Sequence, residues 1–360
     1  MHEEITEVFG HFTRTGRVAA VEQIVRGHIN RTFLVTHEDL DRKRRKFILQ
    51  KLNTTVFTRP HELMDNLVRV SEHIRAKLGD ADDGRGSIRF KRTLDGAVAL
   101  DSPTLGFWRA YRYIDNAEGR LSPESEQDAY AAGAAFGRFQ ALLADLPAPR
   151  LHETIPHFHD TRRRFARLEE SAAADPAGRL RECAREFDRL RELRPYALRV
   201  QEAAEAGVIP ERITHNDAKF SNVLLDSADG HPVCVIDLDT CMPGLSHHDF
   251  GDLIRSICDS ETEDSATPEK TFVKLDAYRA LYAGYAKETD AVFSADEKAL
   301  LPDAGIVLTL ELVARFLTDY LDGDKYFAVR YPGHNLRRTR AQLAFAEKLI
   351  EALPTMRTRE

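Results

Sequence analysis

Residues 214–240 read THNDAKFSNVLLDSADGHPVCVIDLDT, and this stretch decides the fold. Two short apolar runs, residues 223–225 and 233–236, are separated by Asp, Ser, Gly and Pro residues, which favour turns. The pattern predicts a β-hairpin. Because the two strands of a hairpin are antiparallel, the start of the first strand lies beside the end of the second.

Polar side chains crowd this end of the hairpin. Those that precede the first strand or end the second are His215, Asn216, Asp217, Asn222, Asp237 and Asp239. We expect the second strand to continue to residue 239, so that Asp237 and Asp239 point to the same face. The sequence therefore predicts that Asp217, Asn222, Asp237 and Asp239 meet in one small volume.

Carboxylates gathered in this way repel each other unless a cation or a proton lies among them. Oxygen ligands favour Mg²⁺ or Ca²⁺, and Mg²⁺ takes one or two protein carboxylates together with water and substrate phosphates. A catalytic Asp followed five residues later by a metal-binding Asn is the kinase arrangement, which Asp217 and Asn222 match, with Asp237 as the separate metal-binding Asp. The alternative interpretation is a polar turn with solvated Asp side chains.

Composition limits the class of protein. The chain has 360 residues, enough for about two domains, and its 42% hydrophobic and 30% charged content is typical of a globular protein. No apolar run approaches the ~18 residues of a membrane span, and the acidic N-terminus does not resemble a signal peptide. Four cysteines without CxxC spacing and a net charge of −7 favour a cytoplasmic protein with reduced thiols that does not bind nucleic acid. The basic run at residues 42–46 is predicted to be a solvated hairpin tip.

The order of elements predicts an α+β protein with two lobes. Residues 1–112 are rich in strand patterns, with one amphipathic helix over residues 61–78, and form a small N-lobe. Residues 113–119 form a connector. Residues 120–360 form a larger, mainly helical C-lobe that contains the hairpin and is predicted to include one helix over residues 180–205. No GxxxxGK[ST] motif is present, which argues against a P-loop fold.

Several motifs together carry a resemblance to a known family. His215-Asn216-Asp217 with Asn222, the run at residues 236–239 and Asp249-Phe250-Gly251-Asp252 resemble the aminoglycoside phosphotransferase and choline kinase-like superfamily, which has a two-lobed protein-kinase-like fold. Longer strings resemble the N-acetylhexosamine 1-kinases within it. They are residues 27–30 (GHIN), 47–50 (FILQ), 157–161 (HFHDT), 242–244 (MPG), 315–317 (RFL), 326–328 (YFA) and 334–336 (HNL).

The resemblance implies a role for each matching residue. Asp217 matches the catalytic base that accepts the proton of the sugar's anomeric hydroxyl as it attacks the γ-phosphate of ATP. Asn222, Asp237 and Asp239 match metal-binding positions: Asn222 and Asp237 as Mg²⁺ ligands, and Asp239 as a ligand of a second metal ion or a residue that supports the ligands. The nucleotide-binding positions are Gln50, Tyr111, Tyr113 and Ile114, and the sugar-binding positions are His28, Arg315 and Tyr326, together with Asp217. The implied cofactors are ATP and Mg²⁺, and the implied product is an N-acetylhexosamine (GlcNAc or GalNAc) 1-phosphate, which places the protein in carbohydrate metabolism.

Two positions depart from the patterns used for comparison. Many kinases hold the α- and β-phosphates with a Lys on the third strand, where this chain has Gln50; Lys51 is adjacent but points to the other face of the strand. Ser256 stands where the closest pattern has an aromatic residue, which bears on substrate preference. Arg315 and Asp319 are four residues apart on a predicted helix, so an ion pair between them is the alternative to sugar binding.

Three other functions remain open at this point. The acceptor is alternatively another small hydroxyl compound, such as a different sugar, an amino alcohol or an aminoglycoside. A two-metal hydrolase centre is a second alternative; its ligands would come from His215, Asp217, Asp237, Asp239, His247, His248, Asp249 and Asp252. The third is a pseudokinase that binds a ligand without turnover, which Gln50 permits and the intact Asp217, Asn222 and Asp237 disfavour.

Overall fold

The computed structural model of the protein describes residues 2–25, 29–81, 83–146 and 151–358. The strands are β1 (Arg17–Ile24), β2 (Arg31–Glu38), β3 (Arg44–Lys51), β4 (Phe90–Lys91), β5 (Leu100–Ser102), β6 (Gly106–Arg112), β7 (Ala117–Gly119), β8 (Arg212–Thr214), β9 (Val223–Asp226), β10 (Pro232–Val235) and β11 (Met242–Gly244). The helices are α1 (His2–Gly10), α2 (Pro60–Leu78), α3 (Glu126–Leu143), α4 (Thr161–Ala174), α5 (Ala184–Ala197), α6 (Arg199–Glu205), α7 (Ser246–Cys258), α8 (Leu275–Thr289), α9 (Ala295–Leu321) and α10 (His334–Arg357). The expected α+β class, with the strands of the large sheet first and most helices after it, is confirmed.

An antiparallel sheet dominates the N-terminal part, with strand order β1-β2-β3-β6-β4 and β5 also paired with β6. The register pairs Gln50 with Thr32 on one side and with Arg109 on the other, and Ile48 with Tyr111. Since cross-strand partners share a face and side chains alternate along a strand, all of these residues lie on one face of the sheet, the inner face. This face turns towards the hairpin and carries the polar groups of the candidate site.

The opposite, outer face of the sheet is covered by α1, a helix that the sequence analysis did not predict. Ile5, Val8 and Phe9 are fully buried in one cluster with sheet residues such as Leu49 and Trp108. These residues are spaced three and four positions apart, a helical pattern from which α1 could have been predicted. The predicted position of Lys51 on this face is confirmed, since its ammonium lies 5.4 Å from the centroid of the Trp108 ring.

The C-terminal part is built around α9, which packs against α4, α5, α7 and α10. The predicted single helix over residues 180–205 is wrong: a short 3₁₀ turn at Leu180–Glu182 is followed by α5 and α6, with a break at Leu198. No helix in the described ranges is both long and apolar enough to cross a lipid bilayer.

The hairpin of β9 and β10 is extended by β7, which pairs with β9 through Ala117 and Asp226. The backbone N–H of Ser227 also donates to the carbonyl of Asn116. The segment predicted as the connector, residues 113–119, is thus hydrogen-bonded to the hairpin that carries the polar residues. The lobe boundaries themselves stay predictions.

Candidate active site

The hairpin places residues 222 and 236 opposite each other. Val223 pairs with Val235, and the N–H of Ile236 donates to the carbonyl of Asn222 at 2.9 Å. Asp237, the next residue, therefore lies at the same end of the hairpin as Asn222, opposite its turn. The side chain of Asn222 is buried, and its Nδ2 donates to the backbone oxygen of Asp217 at 2.9 Å.

The expectation that the second strand continues to residue 239 is wrong. The strand β10 ends at Val235, Asp237 adopts a left-handed conformation with φ 63° and ψ 51°, and residues Leu238–Thr240 form a 3₁₀ turn. A left-handed residue turns the chain sharply, so Asp237 and Asp239 do not share a strand face. Among the described residues, the carboxylates of Asp217, Asp237 and Asp239 do not all come within common reach of one ion.

Asp239 instead forms a buried ion pair. Its Oδ1 accepts from Nη1 of Arg109 at 2.5 Å and its Oδ2 from Nδ2 of Asn30 at 2.6 Å. Both oxygens are therefore engaged by the N-terminal part of the chain. Asp239 joins the segment after β10 to β6 and to the turn before β2.

Asp249 on α7 holds the loop that carries Asp217. Its carboxylate is inaccessible to solvent and accepts from the N–H of His215 at 2.9 Å, the N–H of Asn216 at 2.7 Å and Nε2 of Gln140 at 2.9 Å. Asn216 has a φ of 63°, a conformation rare for residues other than glycine, and these bonds keep it there. Burial raises the pKa of Asp249, and the nearby His215 and these hydrogen bonds act in the opposite direction.

His215 connects the two segments of the site. Its Nε2 lies 2.9 Å from the carbonyl oxygen of Ile236, and its Nδ1 accepts from the N–H of Asp217 at 3.3 Å. Because Nδ1 accepts this hydrogen bond, Nε2 carries a proton and donates to the carbonyl of Ile236. The rings of Phe136 and Phe139 pack edge-on against the imidazole. His215 thereby fixes Asp217 relative to the peptide that precedes Asp237.

The side chain of Asp217 is 36% exposed, so it can be reached from outside. Its Oδ2 accepts from Nζ of Lys219 at 2.7 Å. Burial lowers the pKa of Lys219, but the charge of Asp217, its hydrogen bond and the nearby Asp237 and Asp252 together raise the pKa above its usual value, so the ammonium is held in its charged form. The sequence analysis missed Lys219, although its position two residues after Asp217 was a usable signal.

Asp237 lies in a crowded electrostatic environment. Burial raises its pKa, and the negative charges of Asp239 and Asp217 raise it further. A divalent cation at this place would remove that repulsion. The donor set fits Mg²⁺, because Asn222 uses Nδ2 for Asp217 and leaves Oδ1 for a metal, beside the carboxylate of Asp237.

Two of the four predicted nucleotide-binding residues lie on the inner face of the sheet. Gln50 donates through Nε2 to Oγ1 of Thr32 at 3.0 Å and accepts from Nε of Arg109 at 2.8 Å. Tyr111 lies further along the same face, and burial raises the pKa of its hydroxyl. Tyr113 and Ile114 follow the end of β6, where the N–H of Tyr113 donates to the carbonyl of Lys46 at 3.1 Å.

The predicted sugar-binding residues Arg315 and Tyr326 come together, whereas His28 lies outside the described residues. The guanidinium carbon of Arg315 lies 5.5 to 6.0 Å from the ring centroids of Phe158, Tyr326 and Phe327. A cavity of about 190 Å³ opens beside them.

Asp319 does not take the alternative role of ion-pair partner to Arg315. It accepts instead from the backbone N–H groups of residues 325, 326 and 327 and from Nδ2 of Asn335, and so orders the loop that carries Tyr326. Arg315 forms no ion pair with a carboxylate in the described part of the chain.

Asp252 on α7 and Glu263 beyond its end are paired with arginines, Arg255 and, for Glu263, also Arg338. Arg255 is held by Asp252 at 2.8 Å and by Glu263 at 3.1 Å. Ser256 donates to the backbone carbonyl of Asp252 at 2.7 Å and lies at the surface. This region therefore presents ion pairs rather than unpaired carboxylates.

The residues proposed for a two-metal hydrolase centre are used in other ways. His247 lies 2.9 Å from the carbonyl oxygen of Glu297, and the ring of His248 packs against that of His159 at a tilt of 41°, with ring centroids 4.8 Å apart. Within the described ranges, the His and Asp side chains that do converge are Asp226, Asp229 and His231, at the opposite end of the hairpin. The geometry gives no support to the hydrolase alternative.

Comparison with known proteins gives a family and a fold. The sequence profile of the phosphotransferase enzyme family matches residues 20–288. Among solved structures, a microcompartment-associated aminopropanol kinase aligns with a TM-score of 0.61 at 18% identity over 94% of each chain. An aminoglycoside phosphotransferase from Alicyclobacillus acidocaldarius gives 0.59 at 13% identity over 98% of this chain and 95% of its own. A choline kinase from Cryptosporidium parvum gives 0.56 at 12% identity over 94% and 91%.

At these identities the structural matches establish the fold, which is protein-kinase-like as the sequence predicted. The profile match spans most of the chain and includes Asp217, Asn222 and Asp237. The protein therefore belongs to the phosphotransferase enzyme family.

Proposed function

We propose that the protein is a kinase that uses ATP and Mg²⁺ to phosphorylate the anomeric hydroxyl of an N-acetylhexosamine, GlcNAc or GalNAc. The observation that carries the proposal is the grouping of Asp217, Lys219, Asn222 and Asp237 at one end of the hairpin, held by Asp249 and His215. Phosphoryl transfer needs positioned groups and cations more than covalent chemistry, and this grouping supplies both.

In this mechanism Asp217 orients the acceptor hydroxyl and accepts its proton as the oxygen attacks the γ-phosphorus. A strong base is not needed here, because the proton leaves late in a loose transition state. Lys219, which donates to Oδ2 of Asp217, is placed to stabilise the charge that spreads over the transferred phosphoryl group. Asn222 and Asp237 would hold Mg²⁺, which neutralises phosphate charge when bound.

The acceptor side supports a neutral sugar over a cationic compound. Choline and aminoglycosides are cations, and carboxylates that are not already paired would favour their binding, although aromatic rings also bind quaternary ammonium groups. Asp252 and Glu263 are paired with Arg255, and Arg315 adds a further positive charge. A guanidinium can donate to sugar hydroxyls and to an N-acetyl carbonyl, and the exposed ring of Tyr326 offers an apolar face to a pyranose. His28 and Arg315 are proposed sugar contacts on the basis of the motif resemblance.

The test is ADP release from Mg²⁺ and ATP with a panel of acceptors: GlcNAc, GalNAc, choline, aminopropanol and kanamycin. The proposal predicts release that depends on GlcNAc or GalNAc and exceeds that with the cationic compounds by at least ~100-fold. If ADP were released only with choline, aminopropanol or kanamycin, the assignment as a kinase would stand and the sugar assignment would be overturned. No acceptor-dependent release with either sugar would also overturn it.

A further inference from the structure

The inner face of the sheet lacks a cation at the place where many kinases have one. Gln50 stands at that position on β3. Its Nε2 donates a hydrogen bond to Thr32, and its Oε1 accepts one from Arg109. Lys51 points to the outer face and lies over Trp108. The phosphates of a nucleotide would therefore meet an uncharged side chain from β3.

Arg109 lies directly across from Gln50 on β6. The two residues are register partners, so their side chains point to the same face. Nε of Arg109 donates to Oε1 of Gln50 at 2.8 Å, and Nη1 donates to Oδ1 of Asp239 at 2.5 Å. The side chain is only 3% exposed. A strand neighbour thus places a fixed positive charge next to the position that lacks a lysine.

The surroundings of Arg109 keep its guanidinium charged. This charge lies next to the segment that carries Asp237 of the candidate metal site. Burial lowers the pKa of Arg109, but the charge and hydrogen bond of Asp239, together with Tyr111 and Asp237, give a net rise in the pKa. A guanidinium has five N–H donors in a planar fork, which suits phosphate oxygens. Nη2 of Arg109 donates no hydrogen bond to any residue that the structure describes, so both of its N–H groups remain for a ligand.

We propose that Arg109 binds the α- or β-phosphate oxygens of ATP through Nη2 and takes the place of the missing β3 lysine. The inference rests on the proposed ATP-dependent function and specifies how the nucleotide is held. In this arrangement Asp239 positions Arg109 by holding Nη1, while Gln50 holds Nε. The alternative is that Arg109 only ties β6 to the segment after β10, without touching the nucleotide.

The test separates these roles by measuring how much the phosphates add to affinity. Isothermal titration calorimetry gives the affinities of Mg²⁺-ATP and of adenosine, and their ratio reports the phosphate contacts. Arg109→Gln should lower the affinity for ATP by at least ~10-fold and leave that for adenosine within about 2-fold, since only ATP offers phosphate oxygens to the guanidinium. Arg112→Gln, on the same strand with an exposed side chain, is the control and should change neither affinity.

A rescue variant adds a measurement that would not change if Arg109 only tied β6 to the segment after β10. Gln50→Lys in the Arg109→Gln background returns a cation to β3 and should recover most of the lost ATP affinity. If Arg109→Gln does not fold, as judged by its thermal melt, Arg109→Lys provides the comparison. It keeps the charge beside Asp239 but has no second nitrogen for the phosphates, so the ratio of ATP to adenosine affinity should still fall.

The outcomes distinguish this inference from the proposed function. If the wild-type protein binds ATP and Arg109→Gln keeps the same ratio, or loses ATP and adenosine affinity equally, the role of Arg109 is overturned and the function stands. Absence of rescue by Gln50→Lys also counts against it. If the wild-type protein binds no ATP at all, the proposed function itself fails.

Discussion

Asp249 shows at the scale of one residue how a side chain outside the reacting atoms controls the site. Its carboxylate receives the N–H groups of His215 and Asn216 and the amide of Gln140. In Asp249→Asn an NH₂ group must face one of these donors, and leaving a buried donor without an acceptor costs about 1–3 kcal/mol. We expect a lower melting temperature and a kcat reduced by at least ~10-fold, measured by thermal denaturation and ADP release.

Gln140→Met is the matched control for Asp249→Asn. It removes the side-chain donor and leaves both backbone bonds to Asp249 in place. Its kcat should stay within about 3-fold of the wild-type value. Equal losses of kcat in the two variants would show that the two backbone bonds do not position Asp217.

His248 gives the protein a defined dependence of stability on pH. Burial lowers its pKa to about 3, the positive charge of His159 and the nearby His247 act in the same direction, and Glu311 opposes them. An unfolded histidine takes up a proton below pH ~6.5, whereas folded His248 does not, so the free energy of unfolding falls as pH decreases from ~6.5 towards 3. The slope from this residue approaches ~1.4 kcal/mol per pH unit.

Urea denaturation at pH 5, 6 and 7 checks this prediction. In His248→Leu the contribution disappears, so the variant should lose less stability than the wild type between pH 6 and pH 5. His159 and Glu311, which face His248, are present in both proteins. Identical slopes in the two proteins would contradict the assignment of a neutral buried imidazole.

The local sequence indicated Asp217, Asn222 and Asp237 but not Lys219, Arg109 or the conformation of Asp237. The first three follow from a motif whose spacing is local. The ion pair of Arg109 with Asp239 joins positions 130 residues apart, so no local pattern contains it. Arg109 was nevertheless unusual, as a charged residue in an apolar strand pattern opposite Gln50.

At the scale of secondary structure, the position of Asp249 depends on how closely α7, which carries it, packs against α9. A Cβ atom added at Gly251 would meet the carbonyl group of Ala304 on α9, with the carbonyl carbon at 2.8 Å. Gly251→Ala therefore forces the two helices apart, which outweighs the ~1 kcal/mol that alanine gains in helix propensity. We expect a net destabilisation of about 1–3 kcal/mol in urea denaturation and a lower kcat, because Asp249 moves with α7.

Gly10→Ala is the control for the glycine substitution. Gly10 ends α1 and has nothing within 4 Å of the added Cβ, so its replacement should leave stability within ~0.5 kcal/mol of the wild type. If Gly251→Ala proved as stable as Gly10→Ala, the close contact between α7 and α9 would not be required.

Elements with strong local signals were predicted well, and those set by distant contacts were not. The hairpin follows from two apolar runs and a turn, and α2 from its apolar spacing. The strand β10 ends at Val235 because Asp237 adopts a left-handed conformation and Asp239 binds distant residues. Strand alternation alone does not reveal this end. The break at Leu198 likewise interrupts a continuous helical pattern.

At the scale of the whole molecule, the sheet and the helical part meet at the candidate site. Arg109 and Asn30 from the N-terminal part bind Asp239. Asn66 of α2 donates to the carbonyl of Cys241, two residues beyond Asp239. These three residues of the N-terminal part hold the segment that carries Asp237, and His215 contacts it from the C-terminal part through the carbonyl of Ile236. This explains why the sequence identified the general architecture but not the contacts that join its two parts.

The most direct test of the account is a ³¹P NMR spectrum of the reaction with Mg²⁺, ATP and GlcNAc or GalNAc. We predict a new phosphate signal coupled to the anomeric proton, formed at least ~100-fold more slowly by Asp217→Ala, the loss expected for a general base. Asp229→Ala, which removes an exposed acid at the turn of the same hairpin, should react like the wild type. No such signal from the wild-type protein with either sugar, or an undiminished rate in Asp217→Ala, would contradict the account.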